Sequence, residues 1–277
     1  MLLLKVILNN IVLGDSRDPD NYQTDFHLTI TSPPYFVGKE YEKDYTFAEY
    51  KDLLKSVFHN TSAHTVDGGK IAINIADIAA FKKVSGRVEE NIEISRELVD
   101  WLKEEDCHLL SRIVWVKDPP WVNSQHVGYN KKVPATYVRV LPSWEYIWVF
   151  YKGDTPKRDD VLPITQMVSK EDWKKWATGV WDMRSVSSNR EHSAMFPQEL
   201  ARRLVLLYSI PGDTVFDPFM GSGTTAVVAH QNSRKYAGIE RDPKYHDLAT
   251  KNLEKVAHCI KDPLYVPPTE YGHDDLF

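Results

Sequence analysis

The stretch that decides the fold is Val215-Phe216-Asp217-Pro218-Phe219-Met220-Gly221-Ser222-Gly223-Thr224-Thr225. It opens as a short strand-favouring run and ends where a helical pattern begins near Thr224. A glycine-containing loop between a strand and a helix is typical of open α/β sheets, which bind ligands outside the carboxyl ends of their strands. Gly221 and Gly223 allow the backbone to approach a ligand closely. The helix start offers N–H groups to an anionic group such as a carboxylate.

Strand and helix patterns alternate on both sides of this loop. Period-2 and continuous apolar runs predict strands over 5–13, 26–30, 70–76, 108–117, 145–151, 214–217 and 236–240. Helical spacing predicts helices over 47–61, 92–105 and 198–209, from 224 onwards, and over 243–256. The segment Asp67-Gly68-Gly69 is expected to be a turn, residues 152–190 an insertion rather than core, and 261–277 a draped or disordered tail. The alternation predicts an α/β fold: a doubly wound, mostly parallel sheet with helices on both faces.

The composition is that of an ordinary globular chain. The 277 residues are 42% hydrophobic and 26% charged, which fits one domain with a sizeable insertion. No stretch approaches the roughly 18 apolar residues of a membrane span, and the short run at Met1–Leu8 lacks a cleavage site, so we expect a cytoplasmic protein with no membrane segment. Cys107 and Cys259 lie in no metal-ligand spacing, and no metal site is expected.

Two carboxylates accompany the glycine loop and suggest its ligand. Asp217 ends the strand before the loop and suits an ammonium group, while Glu240 ends the next strand and can accept hydrogen bonds from ribose hydroxyls. S-adenosyl-L-methionine carries both an amino acid and a ribose. A phosphate loop is not indicated because no Gly-Lys-Ser/Thr ending follows, and a dinucleotide site is weakened because Ala226 replaces the last glycine of that motif.

The other strong strand runs directly into Ser32-Pro33-Pro34-Tyr35. Because proline has no N–H, the turn cannot pair all of its carbonyls locally. A carbonyl and the Ser32 hydroxyl can each accept a hydrogen bond from an exocyclic amino group, and Tyr35 can stack on the ring that bears it. The tetrapeptide alone is equally compatible with a structural turn. The interpretation as a site requires the strand ends at Ser32 and Asp217 to be neighbours.

These two motifs resemble those of the beta-class amino-methyltransferases of bacterial restriction–modification systems, and the resemblance covers roughly residues 5–255. The catalytic motif precedes the cofactor motif, which is the circularly permuted order of that class. Gly14-Asp15 resembles the motif whose aspartate contacts the adenine of the cofactor, and Tyr236–Glu240 resembles the ribose-binding strand. The segment from His192 through Phe196-Pro197 resembles the one that covers the methionine end.

The resemblance implies a division of the chain and a reaction. Residues 1–150 would form the catalytic half, 151–190 a variable target-recognition region helped by the basic loop 117–142, 191–260 the cofactor half and 261–277 the tail. Family members with Ser-Pro-Pro-Tyr resemble N4-cytosine enzymes, whereas Asp-Pro-Pro-Tyr is mostly found in N6-adenine enzymes, so Ser32 favours cytosine. The enzyme would flip the cytosine out of duplex DNA and methylate it by in-line displacement. The cofactor-binding residues implied are Asp15, Thr31, Phe196, Pro197, Asp217, Pro218, Phe219, Gly221, Ser222, Gly223, Thr224, Thr225 and Glu240.

Positive charge hints at the DNA surface. Lysine and arginine outnumber acidic residues between Arg112 and Arg158, although the whole chain has a net charge of -5. Candidate DNA contacts are Lys131, Lys132, Arg139, Arg184 and Arg190, each equally compatible with an ordinary surface cation. Trp121, Trp173, Trp176 and Trp181 are expected to be packing residues, and His126 a loop residue.

Partners and rival functions stay open at the level of sequence. A cognate restriction endonuclease and a monomeric or homodimeric state are both compatible with the chain. A nucleotide-cofactor oxidoreductase has no use for Ser32–Tyr35. An RNA amino-methyltransferase would share both motifs, but no added RNA-binding domain is apparent. A catalytically silent DNA-binding module is not indicated, because Ser32, Tyr35 and Asp217 are all present.

Overall fold

The computed structural model describes residues 9–36, 46–80, 90–117, 142–185 and 197–260. The strands are β1 (Asn10–Leu13), β2 (Phe26–Thr31), β3 (Thr65–Ile75), β4 (Ile78–Ala80), β5 (Glu90–Ile92), β6 (Cys107–Val116), β7 (Trp144–Lys152), β8 (Val180–Asp182), β9 (Thr214–Asp217) and β10 (Lys235–Glu240). The helices are α1 (Phe47–Ala63), α2 (Ile94–Glu104), α3 (Lys170–Trp176), α4 (Gln198–Tyr208), α5 (Thr224–Gln231) and α6 (Pro243–Ile260). Two short 3-10 turns lie at Pro19–Asn21 and Ile164–Gln166.

Within the described residues, the main sheet has eight strands in the order β1-β10-β9-β2-β3-β7-β6-β8. Only β7 runs against its neighbours, pairing antiparallel with β3 and β6. The other ladders are parallel. The strands β4 and β5 form a separate antiparallel pair. The predicted mostly parallel α/β sheet is therefore confirmed.

Local sequence explains where α1 begins and which side of α2 is buried. Thr46 caps α1 by accepting a hydrogen bond from the Glu49 backbone, and the Glu49 side chain returns one to the Thr46 backbone. This capping box satisfies two N–H groups that a helix start leaves unpaired. In α2, Ile94, Leu98 and Leu102 recur every fourth residue and are fully buried. Such spacing places them on one stripe, which packs on the sheet.

Helices cover both faces of the sheet. On one face, side chains of α1 and α2 pack against Ile71, Ile73 and Phe150. On the other, α3, α4 and α5 pack against alternate residues such as Ala72 and Val149. Because side chains alternate along a strand, β3 and β7 contribute to both layers and read as continuous apolar runs. The helix α6 packs on α5 and on Ile11 of β1.

The adjacency of β2 and β9 positions the site. Leu28 pairs with Val215 and Thr29 with Phe216, in parallel register. Parallel neighbours deliver their carboxyl ends to the same edge of the sheet, so the turns after Thr31 and Asp217 emerge side by side. The neighbour relation on which the sequence interpretation depends is therefore present.

The segment after β7 corrects one expectation. Residues 152–190 were expected to be an insertion rather than core, yet β8 pairs with β6 and extends the sheet. Val168, Trp176 and Trp181 lie in the same hydrophobic cluster as the central strands. The weak hydrophobic periodicity of the segment did not indicate this contribution to the core. A few large aromatic side chains make the contact, instead of a regular apolar stripe. Trp173 was expected to be a packing residue, but it is 44% exposed. Trp121 and His126 lie outside the described residues.

Two smaller boundaries also differ from the sequence expectation. Asp67–Gly69, expected to be a turn, lies within β3 as an irregular stretch. Pairing there jumps from Phe26–Thr65 to Leu28–Lys70, and Gly68 has φ 71°. Within the described residues the first strand begins at Asn10, after Asn9 with a positive φ of 62°, and residues 5–8 of the predicted strand lie outside them. Among the described residues, no helix has the length and apolar character needed to cross a membrane.

Candidate active site at the ends of β2 and β9

Asp217 lies at the centre of the site, and its carboxylate joins both motifs. Its Oδ1 accepts hydrogen bonds from Thr31 Oγ1 at 2.7 Å and from the Phe219 backbone N–H at 3.0 Å. Its Oδ2 accepts one from Thr225 Oγ1 at 2.8 Å. Thr31 ends the strand that leads into the Ser-Pro-Pro-Tyr turn, so this carboxylate fastens that turn to the glycine loop.

Burial makes Asp217 unusual for an aspartate. Only 2% of the residue is exposed. Burial raises the pKa of its carboxyl from 3.8 to about 7, because desolvation outweighs the three hydrogen bonds that favour the ionised form. A cation placed beside it would stabilise that ionised form. That an ammonium group of the ligand lies beside Asp217 stays a prediction from the sequence.

The glycine loop is built for a close backbone approach. Gly223 caps α5 with φ 89°, a conformation that L side chains rarely adopt, and an added Cβ would lie 2.9 Å from Ala249 Cβ. Gly221 donates its N–H to Glu240 Oε2 at 2.7 Å. Around Gly221, an added Cβ would meet nothing closer than 3.8 Å, so space adjoins the loop. The α5 start and this space fit the carboxylate end of an amino-acid ligand.

Glu240 ends β10 and pairs with Leu13, and Asp15 follows two residues after that end of β1. The Gly14 N–H donates to the Glu240 carbonyl at 2.9 Å, which fixes the exit of β1. The Glu240 side chain accepts backbone hydrogen bonds from Gly221 and Asp242. The Asp15 carboxylate holds the Arg17 guanidinium, with a shortest contact of 2.6 Å that keeps the pKa of Asp15 below its usual value. Both carboxylates thus organise loops, and each keeps lone pairs for further donors.

Ser16, the residue after Asp15, connects the glycine loop with Tyr22 and Asn60 through hydrogen bonds. Ser16 Oγ donates to the Pro218 carbonyl. The Ser16 carbonyl accepts from the Tyr22 hydroxyl at 2.9 Å and from Asn60 Nδ2 at 3.2 Å. Sequence reasoning missed Ser16 and Arg17, because their only local signal was their position after Gly14-Asp15.

The two proline carbonyls of the Ser-Pro-Pro-Tyr turn differ in whether a protein group already donates to them. The Tyr50 hydroxyl donates to the Pro34 carbonyl at 2.9 Å, which occupies that acceptor. Within the described residues, no protein donor is assigned to the Pro33 carbonyl. Ser32, at the start of the turn, is partly exposed. The expected acceptors for an amino group are therefore Ser32 and Pro33.

Glu145 holds Tyr35, and two further side chains contact Glu145 in turn. The Tyr35 hydroxyl donates to Glu145 Oε2 at 3.0 Å, and Asn74 Nδ2 donates to the same oxygen at 3.0 Å. Lys117 Nζ contacts the other oxygen of Glu145. Burial, and then the negative charge of Glu145, raises the pKa of Tyr35 well above its usual value. Sequence reasoning missed Asn74, Glu145 and Lys117; the available signal was one polar residue at the end of an apolar strand run.

The remaining predicted residues fall into two groups. Close to the loop, Pro218, Ser222, Thr224 and Thr225 are buried, Phe219 packs against the cluster that also contacts Tyr35, and Pro197 caps α4. Arg184 is exposed two residues after β8. Phe196, Lys131, Lys132, Arg139 and Arg190 lie outside the described residues. In the part of the chain that the structure describes, no group of three or more His, Cys, Asp or Glu could hold a metal ion.

A family model covers the part of the chain that contains both motifs. A model of the N6/N4 methyltransferase family, described as DNA methylase, matches residues 26–251. That range contains both turns and Glu240 but not Asp15. The type II methyltransferase M.BglI of Bacillus subtilis is 31% identical over 82% of this chain and 80% of its own length. M.MjaI of Methanocaldococcus jannaschii is 29% identical over 91% of this chain and 94% of its own.

Solved structures share the fold. A putative DNA modification methylase of Thermus thermophilus, crystallised with S-adenosyl-L-methionine, superposes with a TM-score of 0.68. It is 26% identical, and the match covers 88% of this chain and 92% of that one. The cytosine-N4-specific PvuII DNA methyltransferase gives a TM-score of 0.65 at 20% identity, over 91% and 92% of the two chains.

Proposed function

The chain belongs to the DNA methylase family of N6 and N4 methyltransferases, and from that premise we propose that it methylates the exocyclic N4 of cytosine in duplex DNA, with S-adenosyl-L-methionine as the donor. The observation that carries the proposal is the 2.7 Å hydrogen bond between Thr31 and Asp217, which fastens the amine-binding turn to the cofactor loop. The crystallised relative that holds S-adenosyl-L-methionine supports the choice of donor.

The residues of the cofactor loop fit that donor. Asp217 offers a buried carboxyl to the ammonium group, and the α5 start offers N–H groups to the carboxylate. Glu240 and Asp15 keep lone pairs for ribose hydroxyls and the adenine amine. When bound, the donor would supply an activated methyl group on sulfur for transfer to the amino nitrogen, and the proton lost from that nitrogen would pass to water.

The turn would prepare the amine. Its lone pair is delocalised into the base and is a weak nucleophile. Acceptors at Ser32 Oγ and the Pro33 carbonyl would each take one amine hydrogen, which favours pyramidal geometry and localises the lone pair on nitrogen. Tyr35 would stack on the base. The chemistry then needs positioning more than a strong base. Because the amine lies inside a duplex, the cytosine must first be flipped out, at a cost of a few kcal/mol.

The choice of base rests on Ser32. A hydroxyl at this position favours N4 of cytosine by the resemblance set out above. The alternative is N6 of adenine, which presents the same amino geometry and therefore needs the same two acceptors. The walls of the base pocket would make the final selection.

The same proposal assigns the residues that would recognise the DNA sequence and the protein partners. Residues 151–190 and the basic loop 117–142 would contact the target sequence, with Lys131, Lys132, Arg139, Arg184 and Arg190 as cation candidates. Phosphate contacts from such cations would offset the cost of base flipping. A cognate endonuclease would share the site, with the methyltransferase acting as a monomer or homodimer.

Product analysis tests the proposal. Purified protein is incubated with S-adenosyl-L-methionine carrying a tritiated methyl group and either unmodified duplex DNA or tRNA, and the nucleosides are separated after hydrolysis. We expect label in N4-methyldeoxycytidine from DNA, and none with Asp217→Ala, which removes the ammonium partner. Label in N6-methyldeoxyadenosine would overturn the base assignment, and label only in tRNA would overturn the choice of DNA. Binding of NAD in place of S-adenosyl-homocysteine would support an oxidoreductase.

A further inference from the structure

The helix α1 contacts both loops of the site, although none of its residues belongs to either motif. Near its start, the Tyr50 hydroxyl donates to the Pro34 carbonyl of the amine-binding turn at 2.9 Å. Near its end, the Asn60 side-chain amide donates to the carbonyls of Ser16 and Arg17, at 3.2 and 3.0 Å. These two carbonyls directly follow the residue expected at the adenine of the cofactor. One helix therefore holds the turn and the cofactor corner together.

The helix is itself fixed to the sheet. Leu54 and Phe58 are 0% and 1% exposed and lie in one hydrophobic cluster with Ile71 of β3. Tyr50 and Asn60 are also buried, and the ten residues between them span about 15 Å of α-helix. Because the backbone hydrogen bonds of a packed helix fix its length, these two contacts keep the two loops at a constant separation.

Tyr50 restrains the far end of the amine-binding turn. The near end is already fastened, because Thr31 donates to Asp217 just before the turn begins. Within the turn, the proline rings hold φ of Pro33 and Pro34 near about −65°. With the Pro34 carbonyl also held, few torsions remain by which the Pro33 carbonyl could turn away from an amino group. The Tyr50 hydroxyl thus completes the restraint on the expected acceptor.

Asn60 restrains the segment that carries Asp15. The Ser16 carbonyl, to which Asn60 donates, also accepts a hydrogen bond from the Tyr22 hydroxyl at 2.9 Å. On its other side, Ser16 Oγ donates to the Pro218 carbonyl of the glycine loop. A backbone segment held by donors from two directions keeps the side chain before it in one position. These contacts do not involve the amine-binding turn, so each loop can be perturbed separately.

We propose that α1 sets the separation of the two ligand-binding loops, with Tyr50 as a positioning residue for the target amino group and Asn60 as a positioning residue for the cofactor. The inference rests on the proposed function, because it needs a base at the turn and S-adenosyl-L-methionine at the glycine loop. Each side chain acts through a backbone carbonyl and not on a ligand. The two residues should therefore affect different steps of the reaction.

Tyr50→Phe tests the end of α1 at the turn, because it keeps the ring and removes the donor. The single-turnover rate of methyl transfer to duplex DNA, at saturating S-adenosyl-L-methionine, should fall roughly tenfold, since a small displacement of a reacting group is costly in rate. The Kd for S-adenosyl-L-methionine, measured by calorimetry without DNA, should stay within about twofold of the wild type, because the cofactor loops keep their contacts.

Asn60→Ala should give the converse pattern. The affinity for S-adenosyl-L-methionine should weaken roughly threefold to tenfold, because the segment after Asp15 loses donors that hold it. The transfer rate at saturating cofactor should stay within about twofold of the wild type. If Asn60→Ala does not fold, Tyr22→Phe replaces it, since it removes only the hydroxyl that donates to the Ser16 carbonyl and keeps the ring. The same change in affinity is then expected.

Tyr151→Phe is the matched control for the loss of a tyrosine hydroxyl. Tyr151 lies on β7 six residues after Glu145, which holds Tyr35, and so about 20 Å along the strand from the site. Both the affinity and the rate of this variant should equal those of the wild type.

The crossed pattern, with the rate lowered at one end of α1 and the affinity at the other, supports the inference. Variants that change both quantities in proportion, as general loosening of the fold would, overturn it, and so do variants that change neither. If Tyr50→Phe does not fold, the variants at the cofactor end decide alone by the same criterion. Absence of methyl transfer to DNA by the wild type would contradict the proposed function and this inference together. Wild-type transfer without the crossed pattern would overturn only the inference.

Discussion

Single residues in this molecule often perform a structural and a chemical task at once. Asp217 was singled out from its place at a strand end as a partner for an ammonium group. In the structure it also holds Thr31, Phe219 and Thr225, so its carboxylate organises the loop that would receive the ligand. The sequence did not predict this burial, because it depends on the packing of α5 and β2 against the side chain.

The raised pKa of Asp217 predicts a pH dependence of stability. The folded pKa of about 7 lies above the ordinary value of 3.8, so the folded protein holds the proton more tightly than the unfolded chain does. This stabilisation is complete below about pH 4 and is lost as the pH rises through 7. In urea unfolding without cofactor, the wild type should lose a few kcal/mol of unfolding free energy between about pH 4 and 8 relative to Asp217→Asn.

A second aspartate provides the control for this experiment. Arg17 lowers the pKa of Asp15, so its contribution changes only below the ordinary pKa of 3.8. Asp15→Asn should therefore leave the pH slope between about 5 and 8 as in the wild type. An Asp217→Asn variant that keeps the wild-type slope would contradict the raised pKa.

At the scale of elements, local signals identified the described helices except α3 and the described strands except β4, β5 and β8. The capping box at Thr46 and the stripe of Ile94, Leu98 and Leu102 are short-range features, so the sequence alone predicts them. The strand β8 was missed because it has three residues and its pairing partner β6 lies far away along the chain, before β7. Large aromatic side chains, not periodicity, attach this element to the core.

The two tryptophans of this segment predict effects of very different size on stability. Trp181 is 1% exposed and lies in the central cluster, whereas Trp173 is 44% exposed. Trp181→Ala should lower the unfolding free energy by about 3–5 kcal/mol, through reduced burial and the cavity left behind. Trp173→Ala should change it by less than about 0.5 kcal/mol. Equal effects in chemical denaturation would show that the segment is not part of the cooperative core.

At the scale of the whole molecule, charge is distributed unevenly. The net charge of -5 gives no indication of nucleic acid, yet the stretch between Arg112 and Arg158 is locally basic. Binding depends on such a local field and not on the total. Part of this stretch lies inside the protein: Arg158 forms a buried ion pair with Asp213 at 2.8 Å. A charge count along the chain therefore overstates the basic surface that can meet DNA.

Salt dependence of DNA binding tests the proposed cations. Removing one phosphate-binding cation should reduce the slope of log affinity against log salt concentration by about 0.9. We expect Lys131→Ala with Lys132→Ala, and separately Arg184→Ala, to weaken duplex binding and flatten this slope. Lys55→Ala, on the outer side of α1 and paired with Glu104, is the matched control. Unchanged slopes in the tested variants would remove those residues from the DNA surface.

The sequence by itself determined most of the strands and helices, the two loop motifs and the residue types offered to an amine and a cofactor, because these depend on neighbours along the chain. Only the tertiary structure decided that Thr31 contacts Asp217, that Tyr35 is held by Glu145, and that Trp181 belongs to the core. The first two of these contacts join residues 186 and 110 positions apart. Such pairings arise from sheet order and side-chain packing, which no local pattern encodes.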